Sequence, residues 1–484
     1  MRNLPIYISY SILVISMLCL SACTRNFEEI NTNPNAPEQV NPQFLLSNIL
    51  YNSANNSAVD AWNAGNFLAQ LTARFDFNEI DRYDLRTNTE LWNATYLLLK
   101  DVQSLSELSA NDNPVYQGVS KVMQAYLIST LTDLWGDVPY SEALQGASTQ
   151  NFTPRYDTQE QIYTGENGIL DLLRDAVVIF EDNEGGIPIS GDIMFNGNVD
   201  KWIRFANSLR IRYLLRISKR VSIATEMNDI LTGGRIMQSN ADNALIPYLS
   251  TAPNQWFVHN IRLGDYGNVR MTTTIDSVLK AFDDPRITTF FKPTVASENT
   301  GNPVYTGIPN GLGPESRNDY DLSEVSLLGS IFRDVPDGVD AIFMLYSELQ
   351  FALAEAAHLN LIAGTPDAYY HEGIQASFDY YDTPMPTDYL NRTEVLISTH
   401  DPYTKIMTQK WLASMLVGYE GWFNFRRTGL PALQPSKDNT NNDLIPVRYR
   451  YPDSEQAVNP INYQEAVTRM GGDTYNIQAW WERN

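Results

Sequence analysis

Apolar residues recur every three or four positions along much of the chain, and this spacing predicts amphipathic helices. Leu91, Leu98, Val102 and Leu105 share one face of the helix predicted over Leu91–Leu108. The same pattern predicts helices over Phe44–Leu50, Ala58–Ala73, Tyr116–Leu134, Glu166–Phe180, Lys201–Lys219, Thr273–Phe282, Tyr346–Ile362 and Thr404–Val417. Helix follows helix, so we expect stacked hairpins of the tetratricopeptide kind, although no clean repeat of about 34 residues is visible.

The pattern changes between residues 251 and 336, where Gly, Pro, Asn and aromatic residues are scattered and only the helix at Thr273–Phe282 is clear. Loops and short strands are predicted there. Arg74–Asn88 also lacks an apolar stripe and is predicted to be an ordered loop, and Gly418–Gly429 has too many aromatic residues and glycines for a plain helix. The predicted fold class is therefore mainly α, with helical hairpins that support a loop-rich region with a few short strands.

The first residues have the form of an export signal. Arg2 precedes an apolar run over Ile12–Leu20, which is too short for a membrane-spanning helix, and Leu20-Ser21-Ala22-Cys23 resembles a bacterial lipobox. We expect cleavage before Cys23 and attachment of lipid to that cysteine. The predicted organisation is a signal peptide at 1–22, a lipid-anchored tether rich in Asn and Pro at 23–42, and a single binding domain at 43–484.

Composition narrows the possible partners and the sources of stability. The net charge is -23, so phosphate backbones are repelled and nucleic acid is excluded as a partner. The two cysteines are Cys19 and Cys23, which leaves no disulfide in a mature chain, and the 43% of hydrophobic residues must supply the core. One predicted helix carries four arginines, namely Arg204, Arg210, Arg212 and Arg216. Because the protein is so acidic, these arginines suggest ion pairs more than an anion site.

No motif for catalysis, a cofactor or a metal is present in the sequence. Gly-x-Ser-x-Gly, phosphate-binding and dinucleotide-binding signatures are missing, and Glu355 and His358 form a single Glu-x-x-His where a carboxylate-bridged metal site needs two. Two alternatives stay open. The 57 acidic residues permit a glycoside hydrolase, whose paired carboxylates a sequence cannot show, and the hairpins permit a scaffold that binds peptides.

Several motifs occur in a fixed order and together resemble the SusD/RagB family. They are the lipobox, Asn31–Pro37, Asp133–Ala143, Asp284-Pro285-Arg286 and Gly418–Gly429. The resemblance implies a nutrient-binding lipoprotein of the outer membrane that faces the cell exterior and is not an enzyme. It also implies a SusC-like TonB-dependent transporter as the partner, and an oligosaccharide or another small nutrient as the ligand.

The aromatic residues of these motifs, namely Trp135, Tyr140, Trp422 and Phe425, are expected in the core, because buried rings at helix junctions usually pack rather than bind. Arg426 and Arg427 are expected to pair with acidic neighbours.

Two loops combine flat aromatic rings, which stack on sugar faces, with polar side chains that bond hydroxyl groups. The resemblance places ligand contacts in loops of similar position. The predicted ligand-binding residues are Arg74, Phe75, Phe77 and Tyr83 in the loop Arg74–Arg86, and Trp256, Asn260, Arg262 and Tyr266 in the loop Asn254–Asn268. Tyr83 and Trp256 are the strongest single candidates, although an aromatic ring in such a loop also often fills the loop base.

Overall fold

The computed structural model describes residues 41–110 and 113–483, so the predicted signal peptide, Cys23 and almost all of the predicted tether lie outside the described residues. The predicted fold class is confirmed. The longer helices are α1 Pro42–Asp60, α2 Thr89–Ser109, α3 Pro114–Trp135, α4 Ile169–Asp182, α5 Val199–Arg216, α6 Ala224–Gly233, α7 Thr273–Ala281, α8 Tyr346–His358, α9 Pro366–Tyr380, α10 Pro402–Leu412, α11 Glu420–Thr428 and α12 Pro460–Met470.

Shorter helical segments connect these elements. Those of α type are Asn66–Leu68, Gly146–Thr149, Gln159–Thr164, Leu263–Gly267, Ile287–Phe290 and Asp453–Val458, and a π-helical turn covers Ala61–Gly65. Those of 3-10 type are Asn240–Asp242, Phe257–Asn260, Val295–Ser297, Ser316–Asp319, Leu322–Glu324, Ser330–Phe332, Tyr389–Asn391 and Trp480–Glu482.

Consecutive helices pack as hairpins. α2 contacts both α1 and α3, α3 contacts α4, and α4 contacts α5, while α8 contacts α5, α9 and α10. The helix starts have a local cause: Asn41 and Asn113 each accept a backbone N–H in the first turn, and each is followed by proline, whose fixed φ suits that turn. The apolar stripe of α2 that was predicted from Leu91, Leu98 and Val102 is buried.

The strands are short and pair two by two. They are β1 Thr72–Arg74, β2 Val138–Pro139, β3 Tyr156–Asp157, β4 Ala244–Pro247, β5 Val269–Met271 and β6 Asp340–Met344. β1 pairs with β5, β2 with β3 and β4 with β6, each antiparallel. The part of the chain that the structure describes has no helix with the length and apolar character needed to cross a membrane.

Ion pairs join the helices, as the sequence predicted, and several of them are buried. On α5, Arg212 contacts Glu348 at 2.6 Å and Arg216 contacts Glu420 at 2.6 Å. Nearer the surface, Arg204 pairs with Asp200 and Asp242, and Arg210 pairs with Glu226. Arg426 pairs with Glu482 at 2.6 Å, and Arg427 donates two hydrogen bonds to Glu355. Arg427 and the Tyr403 hydroxyl both donate hydrogen bonds to the Glu355 carboxylate. The glutamate of the Glu-x-x-His motif therefore has a structural role in the core.

The other motif residues are also structural. Trp135 and Trp422 are fully buried, and their indole N–H groups donate to the carbonyls of Arg450 and Pro446. Tyr140 and Phe425 are half-buried and pack against the same core.

Two local predictions are wrong. The helix predicted to run to Ala73 ends at Leu68, because residues 72–74 pair with β5 instead of continuing the helix. Gly418–Gly429 contains the helix α11, because Gly421 lets the chain approach Ala69 and Ser414 closely while Trp422 is buried. A tertiary contact overrides the local preference here.

Candidate functional site

The two predicted ligand loops meet in space. The pairing of β1 with β5 sets Thr72 opposite Met271 and Arg74 opposite Val269, and beyond it the N–H of Phe75 donates to the carbonyl of Asn268 at 2.8 Å. The start of the loop Arg74–Arg86 is therefore joined to the end of the loop Asn254–Asn268. They form two parts of one surface.

The first loop has an unusual backbone. Three of its residues that are not glycine have positive φ, namely Phe77, Tyr83 and Arg86, and Gln70 and Asn88 on either side of the loop do so as well. A left-handed conformation costs an L-residue about 1–2 kcal/mol, and it persists only when the surroundings fix it. Such conformations concentrate at binding sites, so this strain points to a function for the loop.

Asp81 holds the first loop in place through buried hydrogen bonds. Its buried carboxylate accepts hydrogen bonds from the backbone N–H of Arg74 and from the side-chain amide of Asn310, which also donates to the carbonyl of Thr72. Burial raises the pKa of Asp81 to about 7, against the opposing effect of those hydrogen bonds. Asn78 adds a second link, since its amide donates to the carbonyl of Leu312 at 2.8 Å.

Three of the predicted ligand residues have buried rings. Trp256 is 0% exposed and its Nε1–H donates to the carbonyl of Phe332 at 3.0 Å. The Tyr266 hydroxyl donates to the carbonyl of Leu328 at 2.7 Å, and the Tyr83 hydroxyl accepts the N–H of Ser436 at 2.9 Å. In this structure none of the three presents a ring face to solvent, which corrects the expectation that Tyr83 and Trp256 are open for stacking.

The buried rings support the loops instead. Trp256 packs against Phe257 with ring centroids 4.6 Å apart and against Trp62 at 6.1 Å, and Tyr266 stacks parallel to Trp62 at 6.4 Å. A ring cluster of this kind fixes the base of the second loop, because edge and stacked contacts hold each ring in one orientation.

Phe75, Phe77 and Tyr320 form what we call the aromatic patch. Phe77 is 65% exposed and has φ +51°, whereas Phe75 and Tyr320 are half-buried over a small cluster of apolar side chains. The Arg317 guanidinium lies 5.9 Å from the centre of the Phe75 ring and pairs with Asp76. The patch therefore places aromatic faces beside charged hydrogen-bonding groups.

The polar groups at the patch are held in place. Asp76 accepts hydrogen bonds from Arg317 and from the N–H of Phe77, and the bond from Arg317 is the main cause that lowers the pKa of Asp76. Arg74 lies two residues earlier, and within the described ranges its buried Nε has no hydrogen-bond acceptor. A buried donor without a partner is costly, so Arg74 is held beside Asp76 at an energetic cost.

The second loop contributes exposed polar groups. Asn260 donates to the side chain of Gln255 at 3.2 Å, and Arg262 is exposed just before the helix Leu263–Gly267 that leads to β5. The structure therefore places five of the eight predicted residues at least partly at the surface: Arg74, Phe75, Phe77, Asn260 and Arg262. Tyr320 and Arg317 were not predicted from the sequence, because they lie in a third loop. Arg317 bonds Asp76 but follows it by 241 residues in the chain.

The comparison with family models decides the relationship. Residues 34–452 match a SusD-like family described as starch-binding associating with outer membrane. The chain belongs to the SusD-like family. It thus belongs to an outer-membrane-associated family of nutrient-binding proteins, and the resemblance inferred from the ordered motifs is confirmed.

Solved SusD-like structures share the whole fold. A SusD homolog from Bacteroides fragilis has 27% identity and a TM-score of 0.80, with 92% of this chain and 100% of that chain covered. A chitin-binding protein has 26% identity and a TM-score of 0.78 over 92% and 100% of the two chains. A chitin-binding SusD homolog from Flavobacterium johnsoniae, at 23% identity and TM-score 0.78 over 91% and 99%, supports the fold alone. No curated protein matches the chain.

Proposed function

We propose that this SusD-like protein is a cell-surface lipoprotein that binds an oligosaccharide and delivers it, uncleaved, to a SusC-like TonB-dependent transporter in the outer membrane. The observation that carries the binding step is Phe77, a ring that is 65% exposed on a backbone with φ +51° and fixed by Asp76. Exposing a large ring on a strained backbone brings no gain in stability, and this ring belongs to the aromatic patch instead of standing alone, so a binding role accounts for it.

An oligosaccharide suits the chemistry of the aromatic patch. The apolar faces of sugar rings stack on Phe77 and Phe75, and their hydroxyl groups bond the guanidinium groups of Arg74 and Arg317. The family description names starch, and the similar protein at 26% identity is described as chitin-binding, which supports a glycan as the ligand class. Transfer without cleavage agrees with a family of binding proteins.

Replacing Phe77 with alanine is expected to weaken oligosaccharide binding at least tenfold, because about 1.4 kcal/mol of stacking is lost. The affinity is measured by calorimetry with the best ligand from an array that includes starch and chitin oligosaccharides, and released reducing ends are assayed in parallel. Phe152→Ala is the matched control, since Phe152 is 72% exposed outside the patch. Unchanged binding by the Phe77 variant, or release of reducing ends by the unmodified protein, contradicts the proposal.

The anchor is tested separately. Cys23→Ala is expected to move the protein from the membrane fraction into the soluble fraction, because one residue carries the lipid in the proposed lipobox. Ser21→Thr, a conservative change in the same segment, is the control for export. Incorporation of labelled fatty acid by the Cys23 variant, together with retention in the membrane fraction, shows that the anchor lies elsewhere.

A further inference from the structure

A cavity of about 520 Å³ opens between α1 and α2, behind the strained first loop. Its size is that of sites that take small organic molecules. Its lining is mostly polar, and Leu91, Ala94 and Tyr449 supply apolar wall. The polar lining consists of Asn56, Asp60, Asn63, Arg86, Thr87, Asn88, Thr89 and Glu90.

The helix that forms one wall changes its geometry at this cavity. α1 ends at Asp60, and the chain continues as the π-helical turn Ala61–Gly65, which brings Asn63 to the cavity. A π turn inside a helix is rare and is frequent at functional sites. Gly65 lets the backbone of Gly418 pack closely against this turn, since a Cβ at this position would meet the carbonyl oxygen of Gly418 at 2.1 Å.

Asp60 is a half-buried carboxylate in the wall of this cavity. Asp133, Asp284 and Glu355 each face an arginine, but in residues 41–110 and 113–483 no basic group forms a salt bridge with Asp60. The side chain of Asn88 hydrogen-bonds Asp60 and also donates to the Tyr419 hydroxyl at 3.2 Å. A half-buried carboxylate without a counter-charge is stabilised when a proton or a bound cation reaches it from the cavity.

We propose that this cavity binds an organic ammonium group, with Asp60 as its counter-ion. The lining has two carboxylates, Asp60 and Glu90, and one guanidinium, Arg86, so an anion is disfavoured. A metal ion is disfavoured too, because the described residues contain no group of three His, Cys, Asp or Glu side chains placed to hold one. Asn56, Asn63 and Thr87 supply hydrogen-bond partners for the rest of a small polar molecule. The site is separate from the aromatic patch and does not depend on it.

The proposal predicts a defined pH dependence. Burial, with a smaller contribution from the charge of Glu90, raises the pKa of Asp60 to about 7 against the opposing effect of the hydrogen bond from Asn88. Arg86, Tyr419 and Tyr449 are the other titratable groups that face Asp60 from the loop and from the C-terminal part of the chain. An ammonium ion binds the ionised carboxylate, so affinity rises as pH increases through about 7 and then levels off.

The test uses 6-amino-1-hexanol as probe and 1,6-hexanediol as its neutral analogue, titrated by NMR into the full mature chain. We expect the amine to bind and the diol to bind at least tenfold more weakly. Asp60→Asn is expected to weaken amine binding at least tenfold and to remove its rise between pH 6 and 8. Asp182→Asn, which removes the same charge from an exposed position on α4, is the matched control and is expected to change affinity less than twofold.

A second variant keeps the test valid if Asp60→Asn fails to fold. Glu90→Gln, at an exposed position in the first turn of α2, is expected to weaken amine binding two- to fivefold. Equal binding of the amine and the diol overturns the proposal, and so does unchanged amine affinity in a folded Asp60 variant. Amine binding that persists at pH 5.5 with the affinity found at pH 8 overturns it as well.

Discussion

Replacement of Arg286 by methionine is expected to lower the free energy of unfolding by about 3–5 kcal/mol, because it leaves a buried charge without its partner. Arg286 and Asp284 are both fully buried and contact each other at 2.6 Å. Arg286 also donates to Ser377 of α9 at 2.9 Å and to Gln409 of α10 at 2.8 Å. One side chain thus joins the end of α7 to two further helices.

The state of Asp284 explains the size of the effect. Burial on its own raises the pKa of Asp284, but the attraction and hydrogen bonds of Arg286 outweigh burial and hold that pKa below its usual range. Without the guanidinium, Asp284 must either stay charged in the core or take up a proton. Either outcome costs stability at neutral pH.

Urea unfolding at pH 7 measures the change. The double variant Asp284→Asn with Arg286→Met removes both charges and is expected to recover part of the loss. Arg392→Met removes a pair with the exposed Asp388 and is expected to cost less than Arg286→Met. A loss below about 1 kcal/mol for Arg286→Met shows that the pair contributes little to the fold.

Trp256→Ala is expected to lower the free energy of unfolding by about 3–5 kcal/mol, since it empties a fully buried site between three other rings. Trp256→Phe keeps most of the volume but loses the hydrogen bond to the carbonyl of Phe332, so a smaller loss of about 1–3 kcal/mol is expected. Both variants are measured by urea unfolding, and oligosaccharide affinity is measured on the folded fraction.

Stability and affinity together show whether Trp256 supports the loop or contacts the ligand. If Trp256 only fixes the base of the second loop, stability falls in both variants and Trp256→Phe binds oligosaccharide nearly as well as the unmodified protein. Retained stability with a tenfold loss of affinity in Trp256→Phe shows that the indole contacts the ligand. Phe77→Ala is the complementary case, in which affinity falls and stability does not.

The helical framework was predictable from the sequence where one apolar stripe dominates. Leu91, Leu98 and Val102 define α2 and are buried. α9 was not predicted, although Tyr370, Ile374 and Phe378 are buried four residues apart, because Tyr369 and Tyr380 interrupt the stripe with further rings. The helix α11 was also not predicted. Its glycine and several of its aromatic residues contact distant segments, so they do not form the apolar stripe of an ordinary helix.

The sequence predicted which two loops form the candidate site, but it did not predict which of their aromatic rings are exposed. Nothing in the local sequence distinguishes Trp256, which is buried, from Phe77, which is exposed, because a loop has no period that assigns residues to a face. Burial there depends on partners such as Phe332 and Trp62, which lie far away in the sequence. Arg317 could not be identified for the same reason.

The short pairing of β1 with β5 affects the order in which the protein folds. Asn310 bonds the carbonyl of Thr72 across a separation of 238 residues, and only three residues of each strand join the two loops. Contacts between such distant segments form late, because closing a long loop costs entropy before the contact repays it. The hairpins are local by comparison. A glycan-binding signal from a refolding sample therefore counts the molecules that have completed folding, whereas circular dichroism also counts those that have formed only their helices.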